Sequence, residues 1–80
     1  MSDKYPVVSW RGLTTLLKRY GYVLVSQRGN HMKYRLAQRS VVVIPKHRTI
    51  SIGVLKNVLK EISRALNKDE RSLIEELRSL

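Results

Sequence analysis

Apolar residues return along this chain in two different rhythms. Within residues 10–20, Trp10, Leu13, Leu16, Leu17 and Tyr20 recur three and four apart, with Arg11, Lys18 and Arg19 on the other side. That is the period of an amphipathic helix. Ser9 stands before it as an N-cap and Gly21 after it as a stop. Gly12 weakens the first turn by about 1 kcal/mol relative to alanine. The rhythm then shortens. Residues 22–27 are rich in β-formers and too short for a helix, Arg28-Gly29-Asn30 is a turn signal, and residues 31–36 alternate strictly. A second turn is expected over 37–40, and Val41-Val42-Val43-Ile44 predicts a third strand closed by Pro45. Helical spacing resumes with Val54, Leu55, Val58, Leu59, Ile62, Ala65 and Leu66, capped by Thr49 or Ser51. It returns once more with Leu73, Ile74, Leu77 and Leu80, where Asn67 and Glu70 have the spacing of a capping box.

The predicted order is α-β-β-β-α-α, a small two-layer α+β domain with a three-stranded antiparallel sheet and its helices on one face. Eighty residues allow one domain, 1–80, with a core over about 9–66 and a last helix over about 69–80. There is no cysteine, hence no disulfide framework and no thiolate metal site. A secreted domain this small ordinarily needs such a staple, so a cytoplasmic location is expected. Residues 1–6 lack the apolar segment of a signal peptide, and a run such as 41–44 is far short of the roughly 20 residues that span a bilayer. No membrane association is expected.

Charge changes the picture more than length does. The formal net charge is +10, and it is unevenly placed. The first sixty residues hold twelve basic side chains against one acid, Asp3; the last twenty hold four bases against five acids, Glu61, Asp69, Glu70, Glu75 and Glu76. The polyanion-binding character therefore belongs to the first sixty residues, and nucleic acid is the first candidate partner.

Alternation gives the middle strand two faces. Met32, Tyr34 and Leu36 point one way; His31, Lys33 and Arg35 point the other, with Arg28 near the same edge. A row of cations neutralises backbone phosphates. A histidine beside a turn is ordinarily a surface group, but imidazole titrates near neutrality, and among cations it can assist a ribose 2′-hydroxyl in attacking the neighbouring phosphate. Lys33 or Arg35 would then stabilise the charge that develops. This chemistry needs no metal, and the carboxylates that could hold one are nearly all beyond residue 60. A second constellation, Lys46, His47 and Arg48, precedes a helix start and suits an anion, although it is equally a solvated loop. Two histidines 16 positions apart do not make a zinc site. Trp10, Tyr20 and Tyr34 have core spacing, so contacts to nucleic acid are expected at phosphate and sugar, with little base readout.

Four segments, taken in order, are familiar: Leu16-Leu17-Lys18-Arg19-Tyr20-Gly21-Tyr22, Gln27-Arg28-Gly29-Asn30-His31, Val43-Ile44-Pro45-Lys46-His47 and Gly53-Val54-Leu55-Lys56-Asn57-Val58-Leu59. Together they resemble the HicA family of bacterial type II toxin–antitoxin toxins, over residues 9–80. The family pattern has a Leu-rich helix ending in Gly-aromatic, a Gly-Ser-His-His turn, a Val-Pro-x-His segment and Gly-Thr-Leu-x-x-Ile-Leu. The resemblance implies a double-stranded-RNA-binding-domain-like fold (dsRBD-like) and an mRNA interferase, a metal-independent endoribonuclease acting through histidine in the bacterial cytoplasm. It also implies silencing by a HicB-type antitoxin, with mRNA as substrate and no cofactor. Carried onto this chain, Gly29 matches the glycine of the turn and His31 its first histidine. Asn30 replaces the serine and Met32 the second histidine. Alternation points position 32 inward, which leaves His31 as the one catalytic candidate of the turn. Arg28, Gly29, Lys33, Arg35, Lys46, His47 and Arg48 are the RNA-binding candidates. A non-catalytic dsRBD-like RNA-binding module and an interaction subunit that docks an acidic protein are the competing expectations.

Overall fold

The computed structural model of the chain describes residues 5–80, so whatever was expected of residues 1–4 lies outside it. Its elements are α1 (Trp10–Arg19), β1 (Val23–Arg28), β2 (His31–Leu36), β3 (Ser40–Pro45), α2 (Ile52–Leu66) and α3 (Glu70–Arg78). The order is the α-β-β-β-α-α expected of the sequence, and the strands form one antiparallel sheet in the order β1-β2-β3.

Helix ends follow local chemistry. Ser9 caps α1, its Oγ accepting from the Gly12 amide at 3.3 Å, and Gly21 at φ +93° takes the chain out of the helix. Of the two candidates for α2, Ser51 is the cap, accepting from the Val54 amide at 3.3 Å. The expected capping box at Asn67 and Glu70 is not formed. Asn67 instead sits in the left-handed region, φ +54°, and ends α2; Asp69 caps α3, accepting from the Arg71 amide. Asparagine tolerates that backbone conformation, so between two closely spaced helices it serves the first as a stop, and the cap of the second falls two residues later.

The β1–β2 hairpin closes through the two-residue turn Gly29–Asn30, with Gly29 at φ +55° in the first central position. Register runs from Arg28 opposite His31 to Val23 opposite Arg35, interrupted by a bulge between Leu24 and Ser26 at which Val25 has no partner. Three residues, 37–39, turn β2 into β3, with the Arg39 amide donating to the Leu36 carbonyl at 3.0 Å.

The helices cover one face of the sheet. Met32 and Tyr34 of β2 and Val42 and Ile44 of β3 are buried against Leu13, Leu16 and Leu17 of α1 and Leu55, Leu59 and Ile62 of α2 in one apolar cluster. Helix α3 adds Leu73, Ile74 and Leu77 to that cluster, so the last helix is part of the core. Leu80, placed on its stripe by spacing, lies beyond the helix end and is exposed. Of the three aromatics expected inside, Tyr34 is buried, whereas Trp10 and Tyr20 flank the core half-buried. None of the helices of the described residues is long and apolar enough to cross a membrane.

The end of the sheet that carries the β2–β3 turn is locked by polar groups. The buried Tyr22 hydroxyl donates to Ser40 Oγ at 2.7 Å, and Ser40 Oγ donates to Glu61 Oε2 at 2.7 Å. Arg64 grips the same carboxylate through Nε (3.0 Å) and Nη2 (2.6 Å), and its Nη2 also donates to the Arg39 carbonyl. Arg39 Nη2 returns the contact to the Ala65 carbonyl at 2.7 Å. The guanidinium of Arg64, with help from Ser40, holds the Glu61 carboxyl below the usual glutamate range against the opposing effect of burial. Burial raises the Tyr22 phenol. On the flank, the Tyr20 hydroxyl donates to Glu76, which also pairs with Arg19, and so ties α3 to α1.

Candidate nucleic-acid interface

The opposite end of the sheet is built differently. His31 is the first residue of β2, directly opposite Arg28 on β1 and Pro45 on β3. Strand alternation turns its side chain away from the helices, and it is exposed. Lys33 and Arg35 follow on the same outer face. Lys33 lies between Ser26 and Val43, and Arg35 lies between Val23 and Val41. The outer face is thus a central basic row with exposed valines on both neighbouring strands. Met32, which stands where the sequence departs from the Gly-Ser-His-His pattern, is buried, as alternation required.

Gly29 has nothing within 4 Å of the position a Cβ would take. Space does not demand a glycine there; the positive φ does. The turn that presents His31 therefore has an open exterior.

The Lys46–Arg48 segment lies at this same end. The Lys46 amide donates to the Asn30 carbonyl at 2.6 Å, so the loop after β3 is hydrogen-bonded to the residue immediately before His31. The His47 amide donates to the Pro45 carbonyl at 2.8 Å, and its own carbonyl accepts from the Trp10 amide at 3.1 Å. The Ile50 amide donates to the Val8 carbonyl at 2.8 Å. Backbone hydrogen bonds therefore join three segments that are distant in sequence: the β1–β2 turn, the β3–α2 loop and the entry to α1. Arg28, His31, Lys46, His47 and Arg48 are all exposed on this end. Gly29 belongs to the same turn, while Lys33 and Arg35 extend the basic row away from it.

None of these cations has an ion-pair partner among the described residues, whose carboxylates all lie at position 61 or later, on α2, on α3 or in the short connection between them. The same described residues hold no group of three or more His, Asp or Glu side chains placed to bind a metal ion. The chemistry available is that of two imidazoles, His31 and His47, among guanidinium and ammonium groups that have no ion-pair partner among the described residues, a surface matched to a phosphodiester backbone.

Two side chains here, Trp10 and Arg11, are not among the candidates the sequence offers. Arg11 Cζ lies 4.7 Å and Lys46 Nζ 5.0 Å from the centroid of the Trp10 ring. Trp10 fits the same helical stripe as Leu13 and Leu17, and so passes for a core residue. The one sequence signal against this was its position in the first turn of α1, next to an arginine and remote from the middle of the helix.

A family model described as the HicA toxin of bacterial toxin–antitoxin systems matches residues 10–63, from the first residue of α1 through the whole sheet and into α2. No curated protein and no solved structure matches the chain.

Proposed function

Since the chain belongs to the HicA family of toxins from bacterial toxin–antitoxin systems, we propose that it is an mRNA interferase, a metal-independent endoribonuclease acting through His31 in the bacterial cytoplasm. Membership makes it a toxin and implies an antitoxin partner. The finer reading is supported above all by the position of His31: exposed, opposite Arg28, and on a surface that, among the described residues, supplies cations without carboxylates.

The reaction is an internal transesterification. His31 removes the proton from a ribose 2′-hydroxyl, and the 2′-oxygen forms a bond to the adjacent phosphorus. The bond from phosphorus to the 5′-oxygen of the next nucleotide breaks, and that oxygen takes up a proton from the solvent reaching this open face. The products are a 2′,3′-cyclic phosphate and a 5′-hydroxyl. Negative charge accumulates on the non-bridging oxygens in the transition state, and Arg28, across from His31, and Lys33, two residues along the same strand, offset it. Arg35, Lys46, His47 and Arg48 hold flanking backbone, and the open turn at Gly29 admits the strand closely.

A HicB-type antitoxin completes the reading. A protein that silences this surface by covering it needs carboxylates to meet the basic row and apolar groups to meet the valines beside it.

The test is cleavage of a defined RNA by the purified wild-type chain and by His31→Ala, with analysis of the product ends. Loss of cleavage in the variant and a cyclic phosphate from the wild type are expected. Equal cleavage by both proteins would remove His31 from the mechanism. A 5′-phosphate product would reject the transesterification while keeping a nuclease. Binding without cleavage by either protein would leave an RNA-binding module.

A further inference from the structure

The cations around Trp10 are gathered in a way the folded chain does not itself need. Arg11 and Lys46 come from different segments, yet their charged groups lie about 5 Å from the same indole centroid. They are therefore no more than about 10 Å apart. The electron-rich indole attracts each of them, but the two repel one another. Arg11 also stands in the first turn of α1, where the aligned peptide dipoles disfavour a cation and where no acidic side chain is present. Neither Arg11 nor Lys46 has a carboxylate partner among the described residues. Positive charge thus converges at one exposed place, organised by an aromatic ring, with nothing negative among the described residues to answer it.

That place adjoins His31 through the backbone. Lys46 donates its amide to Asn30, and Trp10 donates its amide to His47.

We propose that Arg11 and Lys46, held by the Trp10 indole, form a phosphate subsite that takes the RNA backbone beside the nucleotide presented to His31. The assignment rests on the ribonuclease reading for its substrate. Arg11 and Trp10 are then positioning residues: they fix the strand relative to the imidazole and take no part in the proton transfers. Lys46 links the subsite to the turn, because its side chain lies over Trp10 while its backbone is bonded to Asn30.

Trp10 is the only tryptophan of the chain and reports on the subsite directly. The experiment uses the full chain carrying His31→Ala, so that a short single-stranded oligoribonucleotide stays intact during titration. Trp10 emission should change as RNA binds. Arg11→Gln, at an exposed position, should weaken RNA affinity roughly tenfold and lower the salt dependence of log K by about 0.7, as loss of one phosphate contact requires. Trp10→Leu, which keeps an apolar group against the core, should weaken affinity about two- to fivefold by releasing the two cations. In the cleaving protein, Arg11→Gln should raise KM and leave kcat nearly unchanged.

An Arg11→Gln protein that is folded by circular dichroism and retains both affinity and salt slope overturns the subsite. So does Trp10 emission that ignores RNA and responds only to the antitoxin, which would assign the stack to a protein interface. If the wild-type chain cleaves nothing while Arg11→Gln still lowers affinity, the ribonuclease reading fails and the subsite stands as an RNA-binding site. If the wild-type chain cleaves and Arg11→Gln changes neither KM nor affinity, the subsite fails alone.

Discussion

The two ends of the sheet use the same kinds of side chain to opposite effect. At the β2–β3 turn, Arg39 and Arg64 reach backbone carbonyls, Glu61 accepts from Ser40 and Arg64, and the buried Tyr22 hydroxyl is satisfied by Ser40. At the β1–β2 turn, Arg28, His31, Lys46 and Arg48 lie in solvent with no carboxylate partner among the described residues. The difference originates in where the acids are. The described carboxylates belong to the last twenty residues: α2 brings Glu61 to the first of these ends, and α3 pairs Glu76 with Arg19 and Tyr20 on the flank. One end therefore holds the fold together, and the other keeps its charge available for a ligand.

Mutations should divide along the same line. The largest effect is expected at the open end: His31→Ala should reduce RNA cleavage by about 10²–10⁴-fold, the usual contribution of a general acid or base. Its thermal unfolding midpoint should match that of the wild type, because the side chain is exposed. A lowered midpoint would break the comparison. Next comes the reciprocal test, Ser40→Ala, which leaves the Tyr22 hydroxyl without its acceptor. It should lose about 1–3 kcal/mol in denaturant unfolding while RNA affinity stays unchanged. Smaller again are Lys33→Gln and Arg48→Gln. Each should lower the salt slope of RNA binding by about 0.7 without altering stability.

The smallest effect is the dependence of stability on pH. Glu61 is held below the usual carboxylate range in the folded chain, so it contributes stability that is fully present above the unfolded-state value. This contribution is lost as pH falls through the depressed folded value. Denaturant midpoints measured as pH is lowered below the ordinary glutamate value should therefore fall less steeply in Glu61→Gln than in the wild type. An identical slope would remove Glu61 from the closed end.

The alternation of residues 31–36 was enough to place His31, Lys33 and Arg35 on the face away from the core, because a strand with one buried side leaves no other choice. The helix stripes were equally legible, down to Ser9 and Gly21 at the ends of α1. What the sequence did not reveal depends on pairing between distant segments. Nothing local marks Val25 as the unpaired residue of a bulge, since it is the same β-branched residue as the paired Val23. The Tyr22–Ser40–Glu61 chain joins the α1–β1 connection, β3 and α2, whose contact exists only once α2 lies on the sheet. Spacing predicts a core residue at Trp10 because periodicity records the direction a side chain faces and not the depth of the neighbour it meets. The sequence predicts a helix start at Asn67, where the chain has a helix stop, because asparagine serves both as a cap and as a left-handed stop.

The bulge gives β1 a particular tolerance to change in length. Removing Val25 would leave Val23 opposite Arg35, Leu24 opposite Tyr34, Ser26 opposite Lys33 and Arg28 opposite His31, with no other residue obliged to change partners. Removing Gln27 instead would bring Ser26 to the inward place opposite Met32. Adding a residue would require a second interruption. The edge strand can thus shorten by one at a single position without disturbing the turn that presents His31, and related chains of different length are expected to differ there by loss and not by gain.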